Sequence, residues 1–150
     1  MKIALFPGSF DPFTKGHEEI VNRALSIFDR VVVAIGVHHE KQSYFPIEER
    51  IKAIENCFQG KNVKIIQYDK LTGELCQEMG IQFIVRGVRN STDYEYERSI
   101  AITNQQLFGV ETLFLMSDPQ FSHISSTIVR DLIKHGGDIS SMVPNSSLKK

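Results

Sequence analysis

The fold is decided by the stretch Phe6-Pro-Gly-Ser-Phe-Asp-Pro-Phe-Thr-Lys-Gly-His17, which joins two segments of different character. An apolar run at 3–6 precedes it, and an amphipathic run with apolar residues at 20, 21, 24, 25 and 28 follows. The pattern predicts a strand, a loop and a helix, with Gly16 and His17 at the helix entrance. A glycine there lets a phosphate approach the backbone, and the unpaired N–H groups of a first helical turn favour an anion. The stretch therefore predicts a phosphate-binding loop, to which His17 adds a side-chain donor.

These residues alone also fit an ordinary turn. Glycine and proline mark turns in every fold class, and a histidine near a helix start is usually a solvated or capping residue. The strand–loop–helix context leaves both interpretations open, so the rest of the chain has to decide between them.

Strand and helix patterns alternate along the whole chain. Apolar runs predict strands at 3–6, 31–36, 63–67, 83–86 and 112–116. Four of these five are β-branched or aromatic runs without period-two alternation, as expected for strands covered on both faces. Amphipathic patterns predict helices at 17–28, 47–58, 71–79, 93–108 and 125–135. Repeated strand–helix units imply a parallel sheet with right-handed crossovers. We therefore predict an α/β fold: one Rossmann-like, doubly wound domain over 1–150 with a five-stranded parallel sheet and a frayed tail at 145–150.

Composition excludes several classes of partner. The 150 residues carry a net charge of −1, which gives no general attraction to nucleic acid or to an anionic membrane. No apolar run approaches membrane-spanning length, and the N-terminal run is too short for a signal peptide. Cys57 and Cys76 lack the spacing of a zinc or Cys-x-x-Cys site and are expected to be reduced, mostly buried thiols. We expect a cytoplasmic protein that binds neither nucleic acid nor membrane.

Basic and hydroxyl residues gather in the loops that follow the predicted strands. In a parallel sheet these loops share the carboxyl edge, where ligands bind. The residues are Ser9, Lys15 and His17 after the first strand, His38, His39 and Lys41 after the second, Arg86 and Arg89 after the fourth, and Ser125, Ser126, Thr127 and Arg130 after the fifth. Singly, each fits a solvated charge, a loop residue or, for Ser125, a helix cap. Together they predict a polyphosphate ligand.

Several blocks resemble one known family. Pro7-Gly-Ser-Phe-Asp-Pro-Phe-Thr-Lys-Gly-His17 is similar to the (His/Thr)-x-Gly-His signature of a nucleotidyltransferase superfamily, and Ile124-Ser-Ser-Thr-Ile-Val-Arg130 is similar to its second signature. Arg86-Gly-Val-Arg89 and Asp93-Tyr-Glu-Tyr-Glu97 lie between them. In this order the blocks resemble bacterial phosphopantetheine adenylyltransferases, from residue 2 to about 144.

The resemblance implies a reaction. It is the transfer of the adenylyl group of ATP to 4′-phosphopantetheine, giving dephospho-coenzyme A and pyrophosphate, a late step of coenzyme A biosynthesis. The attack is direct and in line, and His17 is the catalytic residue that stabilises the transition state at the α-phosphate. The resemblance also implies a homohexamer and a site that binds dephospho-coenzyme A and coenzyme A.

The resemblance assigns contacts residue by residue. The residues implied to bind 4′-phosphopantetheine are Ser9, Lys41, Thr72 and Arg86. Those implied to bind ATP are Ser9, Phe10, His17, Gly87, Val88, Arg89, Glu97, Phe121, Ser122, His123, Ile124, Ser125, Ser126 and Thr127. We predict no protein metal site, because Mg²⁺ can be held mainly through the ATP phosphates.

The sequence departs from the family at two places. His38-His-Glu-Lys41 stands where the family commonly has Asn-Pro-x-Lys, and the Phe-x-x-Glu-Glu-Arg block that follows in the family is present as Phe45-Pro-Ile-Glu-Glu-Arg50. Phe121 stands where an aromatic residue, often tryptophan, is usual. Two other functions stay open: a nucleotidyltransferase for another acceptor, such as nicotinate mononucleotide or glycerol 3-phosphate, and a non-catalytic nucleotide sensor.

Overall fold

The structure, a computed structural model, describes residues 1–40 and 42–144. Within these residues five strands alternate with five α-helices, and one 3₁₀ turn precedes the last helix. The elements are β1 (Ile3–Gly8), α1 (Lys15–Ala24), β2 (Arg30–Gly36), α2 (Ile47–Cys57), β3 (Val63–Tyr68), α3 (Thr72–Met79), β4 (Phe83–Val88), α4 (Ser91–Phe108), β5 (Glu111–Met116), the turn Pro119–Phe121 and α5 (Ser126–Lys134).

The strands form one parallel sheet in the order β3-β2-β1-β4-β5. Leu5 of β1 lies beside Val32 of β2 on one side and Ile84 of β4 on the other. This confirms the predicted doubly wound α/β fold. From β1 the chain adds β2 and β3 on one side and then β4 and β5 on the other, so the connections change direction between β1 and β4. Sheets of this kind bind ligands in the crevice at the carboxyl ends of those two strands.

The core lies on both faces of the three inner strands. Phe6 and Val33 pack with Ile54 of α2 on one face, and Leu5 and Ile84 pack on the other. Alternate residues of each inner strand are thus buried on opposite sides, as parallel strands require. The two edge strands, β3 and β5, are covered less fully than expected, since none of their residues is fully buried. Each has a neighbouring strand on one side only.

Element ends follow local capping. Ser125 caps α5 as predicted, since its hydroxyl accepts from the Ile128 N–H at 3.2 Å. Asn90 caps α4 in the same way through the Asp93 N–H, so that helix begins two residues earlier than expected. Gly109 ends α4 in a left-handed conformation, with φ of 67°. Within α5, Val129 is fully buried whereas the adjacent Ile128 is 44% exposed, so only Val129 of this pair faces the core.

No helix in the described ranges is both long and apolar enough to cross a membrane. The predicted tail at 145–150 lies outside the described residues.

Candidate active site

His17 lies in the first turn of α1 and completes a capping box. The Thr14 hydroxyl accepts from the His17 N–H at 3.3 Å, and the Thr14 N–H donates to His17 Nδ1 at 3.0 Å. A ring nitrogen that accepts from a backbone N–H carries no proton, so the neutral ring holds its proton on Nε2. The capping interpretation and the phosphate-binding interpretation of His17 are therefore compatible, because capping leaves Nε2–H as the free donor.

The surroundings of His17 keep its ring neutral. Phe10 packs edge-on at 4.9 Å between ring centroids, and Phe13 lies at 5.4 Å. Burial, followed by the charges of Arg86 and Arg89, lowers the pKa of His17 to about 3. The ring reaches solvent only in part, at the wall of a cavity. His17 is thus a neutral hydrogen-bond donor near pH 7.

A cavity of about 290 Å³ lies at the carboxyl ends of β1 and β4. It is bounded by the loop after β1, the first turn of α1, the first turns of α4 and the start of α5. The predicted site residues that line it are Ser9, Phe10, His17, Arg86, Gly87, Arg89, Glu97, Phe121, Ile124, Ser125 and Ser126. Predicted residues from the loops after β1, β4 and β5 therefore meet at this cavity. Of those after β2, the histidines do not line it, since His38 lines a separate cavity and His39 Nε2 lies 3.2 Å from an Asp69 carboxylate oxygen. Lys15 and Arg130 also lie outside its lining.

A second cavity, of about 190 Å³, adjoins the first. Thr72 lines it, and the Thr72 hydroxyl lies 2.9 Å from the Tyr68 hydroxyl. Arg86 and Glu97 line both cavities, and their side chains lie in the wall between the two. The first cavity, called the chamber below, is the more polar of the two, and the second is a smaller, more apolar extension of it.

Two ion pairs hold the arginines of the site. Arg86 binds Glu97 through two hydrogen bonds and donates a third to the Pro7 carbonyl oxygen. Three of the five guanidinium N–H groups are used in this way, which leaves two for a ligand. Arg89 pairs with Asp93 at 3.0 Å, and its Nη1 is 3.4 Å from the Ile124 carbonyl oxygen.

A few predicted residues are placed elsewhere. Val88 is 2% exposed and packs into the sheet, and the Ser122 hydroxyl donates to the Pro119 carbonyl oxygen. The Thr127 hydroxyl accepts from Arg130, and His123 is exposed outside the cavity lining. Their side chains do not line the chamber around His17, so their ATP contacts stay predictions. Lys41 lies outside the described residues.

Comparison with known proteins identifies the family of this chain. A family model described as cytidylyltransferase-like matches residues 5–132. Phosphopantetheine adenylyltransferase of Cytophaga hutchinsonii is 49% identical over 145 residues, which cover 95% of this chain and 97% of that protein. The protein of the same name from Flavobacterium psychrophilum is 46% identical over 147 residues, with 97% of each chain covered. The chain belongs to the phosphopantetheine adenylyltransferase family.

A solved structure extends the comparison of the fold. A Vibrio parahaemolyticus protein, provisionally described as a nicotinate-nucleotide adenylyltransferase, superposes with a TM-score of 0.67 at 22% identity. The match covers 97% of this chain and 96% of that one. At this identity the likeness shows that the two proteins share a fold and shows nothing about a shared function.

Two residues were missed by the sequence analysis. Asp11 was not among the predicted site residues, but its carboxylate accepts from the Tyr44 and Phe45 N–H groups. Arg50 was assigned no role, but its Nη1 donates to the Ser9 carbonyl oxygen at 2.8 Å. Arg50 belongs to the family block Phe45-Pro-Ile-Glu-Glu-Arg50, which was the available signal.

The chemistry of this family implies a metal ion, so the metal-ligating side chains of the chamber are relevant. Among the residues that the structure describes, no group of three His, Cys, Asp or Glu side chains is close enough to hold a metal. The two carboxylates of the chamber, Asp93 and Glu97, are each paired with an arginine. These residues fit a Mg²⁺ ion that enters on the ATP phosphates rather than one held in a carboxylate cage.

Proposed function

We propose that this protein transfers the adenylyl group of ATP to 4′-phosphopantetheine and releases pyrophosphate, forming dephospho-coenzyme A. The observation that carries the proposal is the position of the His17 Nε2–H donor, in a chamber shared with Arg86 and Arg89. The names of relatives that match almost the whole chain support the same reaction.

The acceptor phosphate attacks the α-phosphorus of ATP directly. A new bond joins a phosphate oxygen of the acceptor to that phosphorus, and the bond to the oxygen bridging the α- and β-phosphates breaks. Pyrophosphate leaves with the electron pair. A phosphate monoester is already an anion near neutral pH, so no side chain has to remove a proton. The protein contributes in-line positioning and charge stabilisation.

His17 stabilises the charge that develops on the α-phosphate. Its Nε2–H is a hydrogen-bond donor at the wall of the chamber, where it favours an oxyanion. A neutral donor suits this role because it does not give its proton to the phosphate. Arg89, Ser125 and Ser126 lie across the chamber, where they meet the nucleotide.

Arg86 takes the acceptor phosphate with its two remaining N–H groups. Its place on the wall between the cavities lets the phosphate lie near His17 while the pantetheine arm extends past Thr72. Ser9 lines the chamber next to both groups. Charge on the departing pyrophosphate would be neutralised by Mg²⁺ held mainly through the ATP phosphates.

We also propose assembly into a homohexamer. None of the residues of α4 is buried within the chain, although this helix is 18 residues long. Its exposed apolar residues are Tyr94, Tyr96, Ile100, Ile102 and Leu107. Such a face is typical of a subunit interface. Light scattering coupled to size exclusion should give six chain masses, and a monomer at micromolar concentration would contradict the assembly.

A cytoplasmic location completes the proposal. Cys57 lies in α2 and Cys76 in α3, and burial raises the pKa of the Cys76 thiol to about 11. Unreactive, reduced thiols suit a reducing compartment. Fractionation of the native host should recover the protein with cytoplasmic markers, and recovery with membranes would contradict the location.

An acceptor panel tests the function. Purified protein, ATP and Mg²⁺ are incubated with 4′-phosphopantetheine, nicotinate mononucleotide or glycerol 3-phosphate, and pyrophosphate release is measured. Release with 4′-phosphopantetheine alone is expected. Release with a different acceptor would keep the chemistry and change the substrate. ATP binding with no release for any acceptor would indicate a nucleotide sensor.

A further inference from the structure

We propose that Asp11 and Arg50 are positioning residues that lock the loop after β1 to segment 43–45 and so fix the acceptor-phosphate side of the chamber. The inference rests on the proposed function for the identity of the acceptor. The lock itself is defined by hydrogen bonds between residues far apart in the sequence.

Asp11 holds segment 43–45 from the side of the first loop. Its two carboxylate oxygens accept from the backbone N–H groups of Tyr44, at 2.7 Å, and Phe45, at 2.8 Å. Asp11 is 7% exposed and Phe45 is fully buried. Charge-assisted bonds to two successive backbone groups fix the direction of the chain there.

Arg50 holds the same segment from α2 and reaches back to the first loop. Its Nε donates to the Phe45 carbonyl oxygen at 3.1 Å, and its Nη2 donates to the Ser43 hydroxyl at 3.3 Å. Its Nη1 donates to the Ser9 carbonyl oxygen at 2.8 Å. One planar guanidinium thus joins three points on two segments, which a lysine ammonium cannot reproduce with the same geometry.

The far end of the first loop is fixed by α5. Arg130 donates to the Asp11 carbonyl oxygen and Ser126 donates to the Pro12 carbonyl oxygen, both at 2.8 Å. Phe10, between these anchors and Ser9, has a φ of 48°. A phenylalanine rarely adopts this left-handed conformation, so the surrounding bonds must hold it.

Positioning explains these buried charges better than stability does. Asp11 and Arg50 are 7% and 5% exposed, and removing such groups from water is costly enough that apolar residues often stabilise a core as well or better. Their bonds instead end at Ser9, which lines the chamber, and at segment 43–45. The lock therefore fixes the position of Ser9, a predicted contact of the acceptor phosphate, relative to segment 43–45.

Two conservative variants test the lock, Arg50→Lys and Asp11→Asn. The readouts are kcat and KM for 4′-phosphopantetheine, the Kd of ATP by calorimetry, and hydrogen exchange of the Tyr44 and Phe45 amides. Arg30→Lys is the matched control, because Arg30 bonds to Asn62 at the opposite edge of the sheet.

We expect kcat/KM for 4′-phosphopantetheine to fall by about tenfold or more, because small displacements of a phosphate-binding group slow in-line transfer strongly. The Kd of ATP should stay within about twofold, and the two amides should exchange faster while the control stays like wild type. An unchanged kcat/KM, or an equal loss of ATP affinity, would overturn the proposal. A loss of kcat/KM that is fully explained by the fraction of unfolded protein would also overturn the proposal.

A milder variant covers the case in which Arg50→Lys fails to fold. Ser43→Ala removes only the hydroxyl, which accepts from Arg50 and donates to the Phe45 carbonyl oxygen. About a threefold loss of kcat/KM with faster exchange at Phe45 is expected. No change in either quantity would overturn the lock. If wild-type protein forms no dephospho-coenzyme A, the proposed function fails, whereas amide exchange still decides whether Asp11 and Arg50 lock the segment.

Discussion

Arg86 and Glu97 form a two-bonded ion pair in the wall between the two cavities, with Nε 2.8 Å from Oε2 and Nη2 2.7 Å from Oε1. The Glu97 side chain is only 12% exposed, so the pair is largely shielded from solvent. A planar two-bonded contact fixes the plane of the guanidinium as well as its position. The carboxylate therefore orients the N–H groups that Arg86 has left for a phosphate.

Replacing Glu97 with glutamine should loosen that orientation. Glutamine keeps one acceptor but turns an amide donor toward the guanidinium, so we expect KM for 4′-phosphopantetheine to rise about tenfold. Steady-state kinetics with each substrate varied in turn measures this. Glu95→Gln is the matched control, because Glu95 is exposed on the same helix and lies outside both cavity linings. A weaker ATP affinity with unchanged acceptor KM would instead make Glu97 an ATP contact.

His17→Ala should reduce turnover far more than ATP binding. The Nε2–H bond strengthens as negative charge develops on the α-phosphate, so kcat is expected to fall by about a hundredfold to a thousandfold. The Kd of ATP should change by less than about threefold. His135→Ala serves as the control, since His135 is exposed at the far end of α5. An increase in KM with kcat intact would contradict the role of His17.

Acid should destabilise the protein through His17. The pKa of His17 is lowered from 6.5 to about 3 in the folded chain, mainly by burial, so between these values the unfolded state binds a proton that the folded state does not. The free energy of unfolding then falls as pH falls, by up to about 1.4 kcal/mol per pH unit from this group.

Urea denaturation from about pH 7 down to about pH 5 measures that slope. The variant His17→Asn has no titrating side chain at position 17, so its free energy of unfolding should fall less steeply with falling pH than that of wild type. Equal slopes would show that His17 is not held neutral by the fold.

The alternation of strands and helices could be predicted because it depends on local patterns. Apolar runs, capping residues such as Ser125 and glycines at helix ends act within a few residues. The proximity of His17, Arg86 and Arg89 could also be predicted, because a parallel sheet brings the carboxyl ends of its strands to one edge.

Contacts across long sequence separations could not be predicted from local patterns. The bond from Arg50 to Ser9 joins residues 41 positions apart, and nothing in either segment specifies it. Likewise, the orientation of Glu97 toward Arg86 depends on how α4 packs beside β4. The exposure of Ile128 depends on the angle at which α5 meets the core.

Gly73 shows how such packing overrides helix propensity. Thr72 and Gly73 are weak helix formers, yet α3 includes both, and a Cβ on Gly73 would overlap the ring of Phe108 on α4. Gly73→Ala should therefore lower the free energy of unfolding by about 1–3 kcal/mol, although alanine favours helix.

A double-mutant cycle separates overlap from a general loss of stability. In the Gly73→Ala background, Phe108→Leu should be less destabilising than in wild type, because the smaller side chain gives the new methyl group room. Chemical denaturation of the four proteins gives the coupling. Additive losses would mean that the two residues do not compete for the same space.

The central claim is direct adenylyl transfer to 4′-phosphopantetheine, and a single-turnover reaction with ATP labelled at the α-phosphorus tests it most directly. Enzyme in excess over ATP is mixed with Mg²⁺ and 4′-phosphopantetheine, quenched at intervals, and its products are separated. The account predicts that all transferred label appears in dephospho-coenzyme A while unlabelled pyrophosphate is released in equal amount. Label on the protein before product forms, or label only in AMP, would contradict it.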